Sequence, residues 1–259
     1  MRFIFLWLFV LFTQAVFTQN YAVSGNEKLV FTASYNMSGI LTDIAQVTMQ
    51  TSTIETSGTT LLRLKCTAAT YKNWDSFFKI RDLYESYVNP SSLIPYLYKR
   101  DILEGSYTKF MEYKYNHKEN KVKSLLRKKR KDGAFYEENK TLSLSNGAKD
   151  IVATLYKLRT LDFSKAPVGK TKTLLVLFDN VEHPVTFTYL GTESIATALG
   201  KKTCHKLAIS MNNTNVLKGN RDNLLWLTAD ENKVPVYVKF KIPVGNGELK
   251  IKSVSGLKN

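Results

Sequence analysis

The chain of 259 residues is 44% hydrophobic and has only 6 prolines, a composition that excludes an extended disordered protein and suffices for one buried core, or at most two. Its 37 basic residues exceed its 22 acidic residues and give a net charge of +15. Nucleic acid is the usual partner of such a charge. An N-terminal leader argues against it and makes anionic glycolipid, phospholipid headgroups or acidic polysaccharide the expected counterparts.

The leader is predicted from Arg2, which is followed by an uninterrupted apolar run over residues 3–12. Because this run is short for a permanent membrane span, we expect a signal peptide within residues 1–22, cleaved after Ala15 or Ala22. The alternative is an uncleaved N-terminal anchor. No cysteine follows either cleavage site, so a lipoprotein anchor is not expected. We therefore expect an exported protein, in the periplasm or on the periplasmic face of the outer membrane, with residues 23–259 as one domain.

The first strands after the leader are predicted over residues 28–35, 40–53 and 59–71. These segments alternate loosely between polar and apolar residues and are rich in threonine. Polar turn residues separate them, so they are expected to form an antiparallel meander.

A long hairpin is predicted next, with strands over residues 80–88 and 93–103 around the turn at 89–92. If the turn is centred near Ser91, facing residues have numbers that sum to 182, which sets opposite charges against each other. The predicted facing pairs are Asp82 with Arg100, Arg81 with Asp101, Tyr84 with Tyr98, and Ile80 with Ile102.

The charged residues of this hairpin have two interpretations. They line a polar site, or they are structural ion pairs of a two-sided sheet, which we favour. The residues concerned are Arg81, Asp82, Glu85, Arg100, Asp101 and Glu104.

Residues 221–245 repeat the pattern of residues 81–105 without a gap. Both segments have a strand, a polar turn, a proline (Pro95 and Pro235) that enters the return strand, and a glycine where that strand ends. We therefore predict two long hairpins of one design within a large sheet.

Further strands are predicted over residues 109–115, 121–128 and 134–144. The most basic run of the chain lies between the last two and comprises Arg127, Lys128, Lys129, Arg130 and Lys131. It is either a solvated hairpin tip that charge protects from edge pairing, or a patch that docks on an anionic surface. The two readings are compatible.

One helix is predicted over residues 148–160, with Ser145 or Asn146 as its N-cap. Its apolar stripe consists of Ile151, Val152, Leu155 and Leu158, and it is expected to cover a sheet face. Strands are again predicted over 173–178, 185–190, 194–197, 203–210, 223–228, 234–242 and 248–254.

No convincing catalytic or metal-binding set is present in the sequence. His117, His183 and His205 have no metal-ligand spacing, and no metal or cofactor is predicted. Cys66 and Cys204, the only cysteines, either form a disulfide in an oxidising compartment or remain two separate buried thiols.

The chain resembles the bacterial exported family known as domain of unknown function 3108. The resemblance is carried by Phe78, Arg81-Asp82, Tyr84 to Tyr87, Pro95, Arg100-Asp101, Glu104-Gly105, Leu155-Tyr156, Leu158 to Leu161, Gly200, Cys204, Trp226 to Thr228, Pro235 and Pro243 to Gly245. It implies no catalytic residue, because the activity of the family is unassigned.

The expected fold is mainly β: a long, curved antiparallel sheet or incomplete β-barrel with one short helix packed on a face. The hairpins are also similar, more weakly, to those of bacterial lipoprotein carriers, which implies a concave apolar groove. The expected function is non-enzymatic binding of an amphipathic or anionic envelope component such as a lipid, glycolipid or polysaccharide. The alternatives are a scaffold or partner-binding module for another envelope protein, and a glycan hydrolase without identifiable catalytic residues.

Overall fold

The computed structural model describes residues 22–37, 39–130, 132–211, 222–242 and 245–259. Most of the leader therefore lies outside the described residues, as does Lys131 of the basic run. No helix within the described ranges is long and apolar enough to cross a membrane.

The described chain folds into a single antiparallel sheet of fourteen strands and one α-helix. The elements are β1 (Lys28–Met37), β2 (Ile40–Thr56), β3 (Thr59–Thr70), β4 (Arg81–Val88), β5 (Pro95–Glu104), β6 (Tyr107–Asn116), β7 (Lys121–Lys129), β8 (Phe135–Ser143), α1 (Ile151–Arg159), β9 (Thr171–Phe178), β10 (Val181–Thr197), β11 (Gly200–Met211), β12 (Asn223–Thr228), β13 (Pro235–Ile242) and β14 (Gly245–Ser255).

Two meanders make up the sheet. The first runs from β1 to β8 and the second from β9 to β14, and the pairing of β1 with β14 joins them. β8 and β9 are the outer strands, so the sheet does not close on itself. The predicted fold class, a mainly β protein with a curved antiparallel sheet and one helix, is confirmed.

The predicted hairpin is formed by β4 and β5, but its predicted register is wrong by two residues. Arg100 lies opposite Tyr84 instead of Asp82. The turn is wider than expected because Leu93 adopts a left-handed conformation (φ 56°) and a bulge follows Tyr87. A shift of two residues leaves every side chain on its predicted face. The other predicted pairs change likewise: Tyr98 faces Ser86, Leu83 faces Asp101, and Ile80 bridges to Glu104.

The second predicted hairpin corresponds to β12 and β13. Its return strand begins at Pro235, as β5 begins at Pro95. Both hairpins contain a bulge just before the turn, between Trp226 and Leu227 in one and between Tyr87 and Val88 in the other. Arg221, the first residue of the repeat, lies outside the described residues.

The helix begins and ends inside its predicted bounds, and its predicted caps are wrong. Asp150 is the N-cap, and its Oδ1 accepts a hydrogen bond from the backbone N–H of Ala153 at 2.8 Å. Its Oδ2 also accepts from the hydroxyl of Ser86 on β4 at 2.7 Å, so the cap ties the helix to the sheet.

The buried face of the helix is also rotated from the predicted stripe. Leu155 is 37% exposed, whereas Tyr156 and Arg159 are buried. α1 contacts β3, β4 and β9, so it is enclosed on more than one side. Val152 and Tyr156 share a core with the tyrosines of β5 and β6, and this packing occupies the concave face beside the helix.

Cys66 and Cys204 are free thiols, so the disulfide is not formed and the alternative of two separate thiols holds. Cys66 lies on β3 and Cys204 on β11. The strands β2, β1, β14, β13 and β12 lie between them in the sheet. A disulfide requires Cα atoms within about 7 Å, roughly the spacing of adjacent strands.

Candidate functional site

The six charged residues predicted on the β4–β5 hairpin do not converge on one site. Because side chains alternate along a strand, three of them share each face of the sheet. Asp82, Arg100 and Glu104 lie on one face, and Arg81, Glu85 and Asp101 lie on the other.

Their partners are mainly structural. Glu85 is buried and pairs with Arg63 of β3 on the outer face. Arg81 pairs with Asp75, a residue of the loop between β3 and β4. The predicted ion pairs across the hairpin, Asp82 with Arg100 and Arg81 with Asp101, are thus replaced by pairs to other segments.

Arg100 holds the turn between β9 and β10 against the sheet. Its guanidinium pairs with Asp179 of that turn and lies 4.4 Å from the ring centre of Phe178. Burial raises the pKa of Asp179, but hydrogen bonding from Lys109 and the positive charge of Arg100 outweigh it, so the pKa is lowered overall. The turn is therefore fixed beside the start of β6 by an ionised carboxylate.

Asp82 is the most perturbed carboxyl of the hairpin. It is buried, and its Oδ1 accepts a hydrogen bond from the backbone N–H of Leu103 at 3.2 Å. Burial, followed by the neighbouring carboxyl of Glu104, raises the pKa of Asp82 to about 7. Such a shift fits a carboxyl held in the core and titrating near neutrality.

The basic run lies at the junction of β7 and β8, where the sequence predicted a hairpin tip. Its side chains lie against aromatic rings of neighbouring strands. Arg127 pairs with Glu137 at 2.8 Å, and the ammonium of Lys128 is 5.2 Å from the ring centre of Tyr107. Arg130 lies 5.3 Å from the ring centre of Tyr136.

This junction belongs to one end of the sheet, which we call the turn rim. In an antiparallel meander all odd-numbered strands end at the same side, so the turns β1–β2, β3–β4, β5–β6, β7–β8 and β9–β10 lie there together. Of the ten large hydrophobic side chains exposed among the described residues, seven lie in or beside these turns. They are Ile40, Leu41, Phe77, Phe78, Tyr107, Phe135 and Val181.

Each of those five turns contributes at least one exposed apolar side chain. The most exposed are Phe77 at 73%, Ile40 at 70% and Phe135 at 69%. Scattered exposed hydrophobics are ordinary on a protein surface, whereas a concentration at one end is a feature of interaction sites.

Side-chain contacts link neighbouring turns of the rim. The indole N–H of Trp74 donates to the backbone carbonyl of Asp43 at 3.0 Å, and Trp74 makes an edge contact with Phe77 at 6.3 Å between ring centres. The ring of Phe78 lies over Gly105, whose φ of 59° makes the β5–β6 turn. The turns β1–β2 through β5–β6 are thereby joined, and Lys128 over Tyr107 joins the β7–β8 turn to them.

The β9–β10 turn reaches the same place from the other half of the sheet. Lys109 on β6 donates to the carboxylate of Asp179 at 2.6 Å, and Ser124 on β7 donates to the side chain of Asn180 at 2.6 Å. Val181, 54% exposed, follows this turn, which Lys109 holds beside the start of β6 and therefore close to the β5–β6 turn.

The sequence predicts the basic part of the rim but not its apolar part. A usable signal exists, because Ile40, Phe135 and Val181 each come one or two residues after a glycine or asparagine turn. An apolar residue in that position begins a strand and projects from its end. Only the shared direction of the turns reveals that these residues lie together.

Among the described ranges no group of three His, Cys, Asp or Glu residues is placed to hold a metal ion. His205 packs against Phe163 and Tyr189, while Cys204 belongs to the other core cluster, so these neighbours point to opposite faces. Burial lowers the pKa of His205.

The protein is β-barrel-like but not closed. Its single antiparallel sheet curves around a helix and remains open between β8 and β9. Residues 30–252 match the family described as protein of unknown function (DUF3108), and the chain belongs to that family. The resemblance seen in the sequence is thereby confirmed.

Two solved structures match this chain over most of its length. A β-barrel-like protein of the domain of unknown function DUF1849 from Brucella abortus has a TM-score of 0.54 at 5% identity, over 89% of this chain and 97% of that one. A protein from Bacteroides fragilis with a YmcC-like fold has a TM-score of 0.38 at 9% identity, over 92% and 99%. The similarity to the Brucella abortus protein shows the fold alone. No curated protein matches this chain.

Proposed function

We propose that this is an exported, non-enzymatic protein that docks peripherally on an anionic membrane surface of the cell envelope through the turn rim. The observation that carries the proposal is the clustering of seven exposed apolar side chains at one end of the sheet, beside the most basic run of the chain. The leader and the net charge of +15 support the same assignment.

The two kinds of side chain suit the two layers of a bilayer interface. Transfer of phenylalanine and isoleucine side chains from water to the boundary of the acyl chains is favourable by about 1.5–3 kcal/mol for full burial. Lysine and arginine remain at the level of the headgroups, where each contributes about 1 kcal/mol near anionic lipid. Lys128, Lys129 and Arg130 precede Phe135 in the chain, so both contributions come from the same tip.

The rim is fixed in shape, which favours docking by a rigid surface. The contacts of Trp74, Phe78 and Lys128 hold four turns against one another, and the pair of Asp179 with Arg100 holds the fifth. Few side chains need to be ordered on binding, so little conformational entropy opposes it.

Sedimentation with lipid vesicles tests the proposal. We expect the protein to bind vesicles that contain phosphatidylglycerol, to bind phosphatidylcholine vesicles at least tenfold more weakly, and to lose binding as salt rises. Phe77→Ser combined with Phe135→Ser should weaken binding to anionic vesicles about tenfold or more.

Val168→Ser is the matched control, because Val168 is 71% exposed but lies in the segment between α1 and β9, outside the rim. It should bind vesicles as the unmodified protein does. Equal binding to neutral and anionic vesicles, or an equal loss in Val168→Ser, would contradict the proposal. Absence of any vesicle binding would favour a protein partner for the rim instead.

A further inference from the structure

We infer that a groove over Trp226 and Tyr237 binds an amphiphile that carries a single anionic group, a phosphodiester or a carboxylate. The inference deepens the proposed function, since a membrane-docked protein would take this ligand from the lipid phase. The groove has a volume of about 660 Å³, which is within the range of small-molecule sites.

The groove exists because the β10–β11 hairpin folds over its neighbours. β10 and β14 are separated in the sheet by β11, β12 and β13, yet they are in contact. A bulge between Tyr189 and Gly191, with φ of 105° at Gly191, bends the long hairpin. Its far end, residues 195–198, thereby forms a wall of the groove opposite Ile251 of β14.

The floor is aromatic and aliphatic. The rings of Trp226 and Tyr237 stack at 4.8 Å between centres, and Ile195, Val236 and Ile251 line the groove around them. Because Trp226, Val236 and Ile251 are almost fully buried, the apolar surface open to a ligand comes mainly from Tyr237 and Ile195. Trp226 alternates along β12 with Leu225, so the two side chains lie on opposite faces of the sheet. Leu225 packs in the cluster of Leu158, whereas Trp226 belongs to the cluster of Val152 and Tyr156. An acyl or prenyl chain is the kind of group that this floor would exclude from water.

Three lysines line the groove. Lys206 lies 5.1 Å from the ring centre of Trp226, and Lys239 and Lys250 lie 5.6 Å and 5.9 Å from that of Tyr237. With the carboxylates of Glu193 and Glu248 the local charge is about +1, three positive and two negative groups. This balance is complementary to one negative charge.

The two carboxylates orient the floor and neutralise two of the lysines. Glu193 accepts a hydrogen bond from the indole N–H of Trp226, which is the main cause of its lowered pKa, and pairs with Lys206 at 3.3 Å. Glu248 accepts from the hydroxyl of Tyr237 at 2.5 Å and pairs with Lys250. Lys239 lies between these two pairs, over the ring of Tyr237, and is the lysine best placed to meet the anionic group.

The groove continues toward the turn rim. A second depression of about 410 Å³ shares Lys239 with the first and is lined by Leu41, an exposed residue of the β1–β2 turn. The path from the rim to Trp226 therefore runs along β13 and β14 over one face of the sheet. A lipid entering at the rim would reach the groove without leaving the protein surface.

Trp226 fluorescence tests the inference. In Trp74→Phe, which removes the tryptophan of the rim, we expect saturable quenching by a short-chain phosphatidylglycerol with brominated acyl chains, added below its micelle concentration. Lys239→Ala should weaken this affinity about tenfold, because a hydrogen bond to a charged group is lost. The phosphatidylcholine analogue should bind about tenfold more weakly, while Lys123→Ala, an exposed lysine of β7, should leave the affinity unchanged.

Ala198→Phe provides a second variant, since it fills the groove from the wall without adding an indole and should abolish the quenching of Trp226. No saturable quenching, an equal loss in Lys123→Ala, or tighter binding of an acidic oligosaccharide than of the lipid would overturn the inference. Failure here is separable from failure of the proposed function. Lys239→Ala should still sediment with anionic vesicles, and Phe77→Ser with Phe135→Ser should still bind the dispersed lipid.

Discussion

The guanidinium of Arg159 donates to both carboxylate oxygens of Glu27, with Nη1–Oε1 at 2.6 Å and Nη2–Oε2 at 2.7 Å. Both side chains are almost fully buried. The same guanidinium donates to the backbone carbonyls of Ala22 and Asn232. One side chain at the end of the helix thus fastens the start of the folded domain and the turn between β12 and β13.

Loss of Glu27 should be costly because it leaves a buried cation without its counterion. We expect Glu27→Ala to lower the free energy of unfolding by about 3–5 kcal/mol, measured by urea denaturation. Glu27→Leu combined with Arg159→Met should recover only part of that loss. The apolar pair avoids the desolvation of both charges, but it leaves the carbonyls of Ala22 and Asn232 without the donor that Arg159 supplies. A loss below about 1 kcal/mol in Glu27→Ala would show that the pair is not buried in solution.

Asp82 should make stability depend on pH. Its pKa is about 7 in the folded protein and about 3.9 in an unfolded chain, so the folded state binds more protons between these values. Stability should therefore fall as pH rises from about 4 to about 7 and should level off above that. A difference of about three pKa units between the folded and unfolded states changes the free energy of unfolding by at most about 4 kcal/mol over this pH range.

Burial also raises the pKa of Asp150 to about 6, so part of the slope below pH 6 belongs to that carboxyl. Asp82→Asn should remove the slope between about pH 6 and 7 and raise the free energy of unfolding at pH 8 by about 2–4 kcal/mol, measured by denaturation across the pH range. Asp101→Asn, a change of the same kind at an exposed site on β5, is the control and should keep the slope. A slope between about pH 6 and 7 that survives in Asp82→Asn would assign this titration to another group.

The two thiols should be unreactive in the folded protein. Burial raises the pKa of Cys66 to about 12 and that of Cys204 to about 11. At pH 8 we expect alkylation by iodoacetamide to be roughly a thousandfold slower for Cys66 than for an unperturbed thiol, and fast after unfolding.

The intact mass should be the same before and after reduction, and unfolded protein should accept two alkyl groups without a reductant. Cys204→Ser leaves Cys66 alone and should retain the slow rate. A mass increase on reduction would mean that Cys66 and Cys204 are bonded in the isolated protein.

The contacts of Ala22 bear on where the predicted leader would be cleaved. Ala22 is 1% exposed and its carbonyl accepts a hydrogen bond from Arg159 at 3.1 Å. Cleavage after Ala22 would remove this acceptor and place a new ammonium group on buried Val23 beside the guanidinium. We therefore expect cleavage after Ala15, so that N-terminal sequencing of the exported protein begins at Val16. A sequence that begins at Val23 would contradict this expectation.

Local signals were sufficient for most strands and for the two hairpins. β-branched and aromatic runs end at polar turns, and Pro95 and Pro235 each mark the start of a return strand, because both patterns depend on neighbouring residues. The predicted register of β4 with β5 was wrong by two residues, because a bulge and the left-handed conformation of Leu93 lengthen the turn. Neither feature is recognisable in the sequence.

The sequence by itself determined that this chain forms antiparallel strands, where its helix lies, and that basic residues gather at one hairpin tip. These properties follow from periodicity and charge along a short stretch of chain. Only the tertiary structure decided that Arg159 meets Glu27, that five turns bring seven apolar side chains to one rim, and that β10 folds over Trp226. Each of these depends on contacts between residues far apart in the chain, which the direction of the strands and the curvature of the sheet fix.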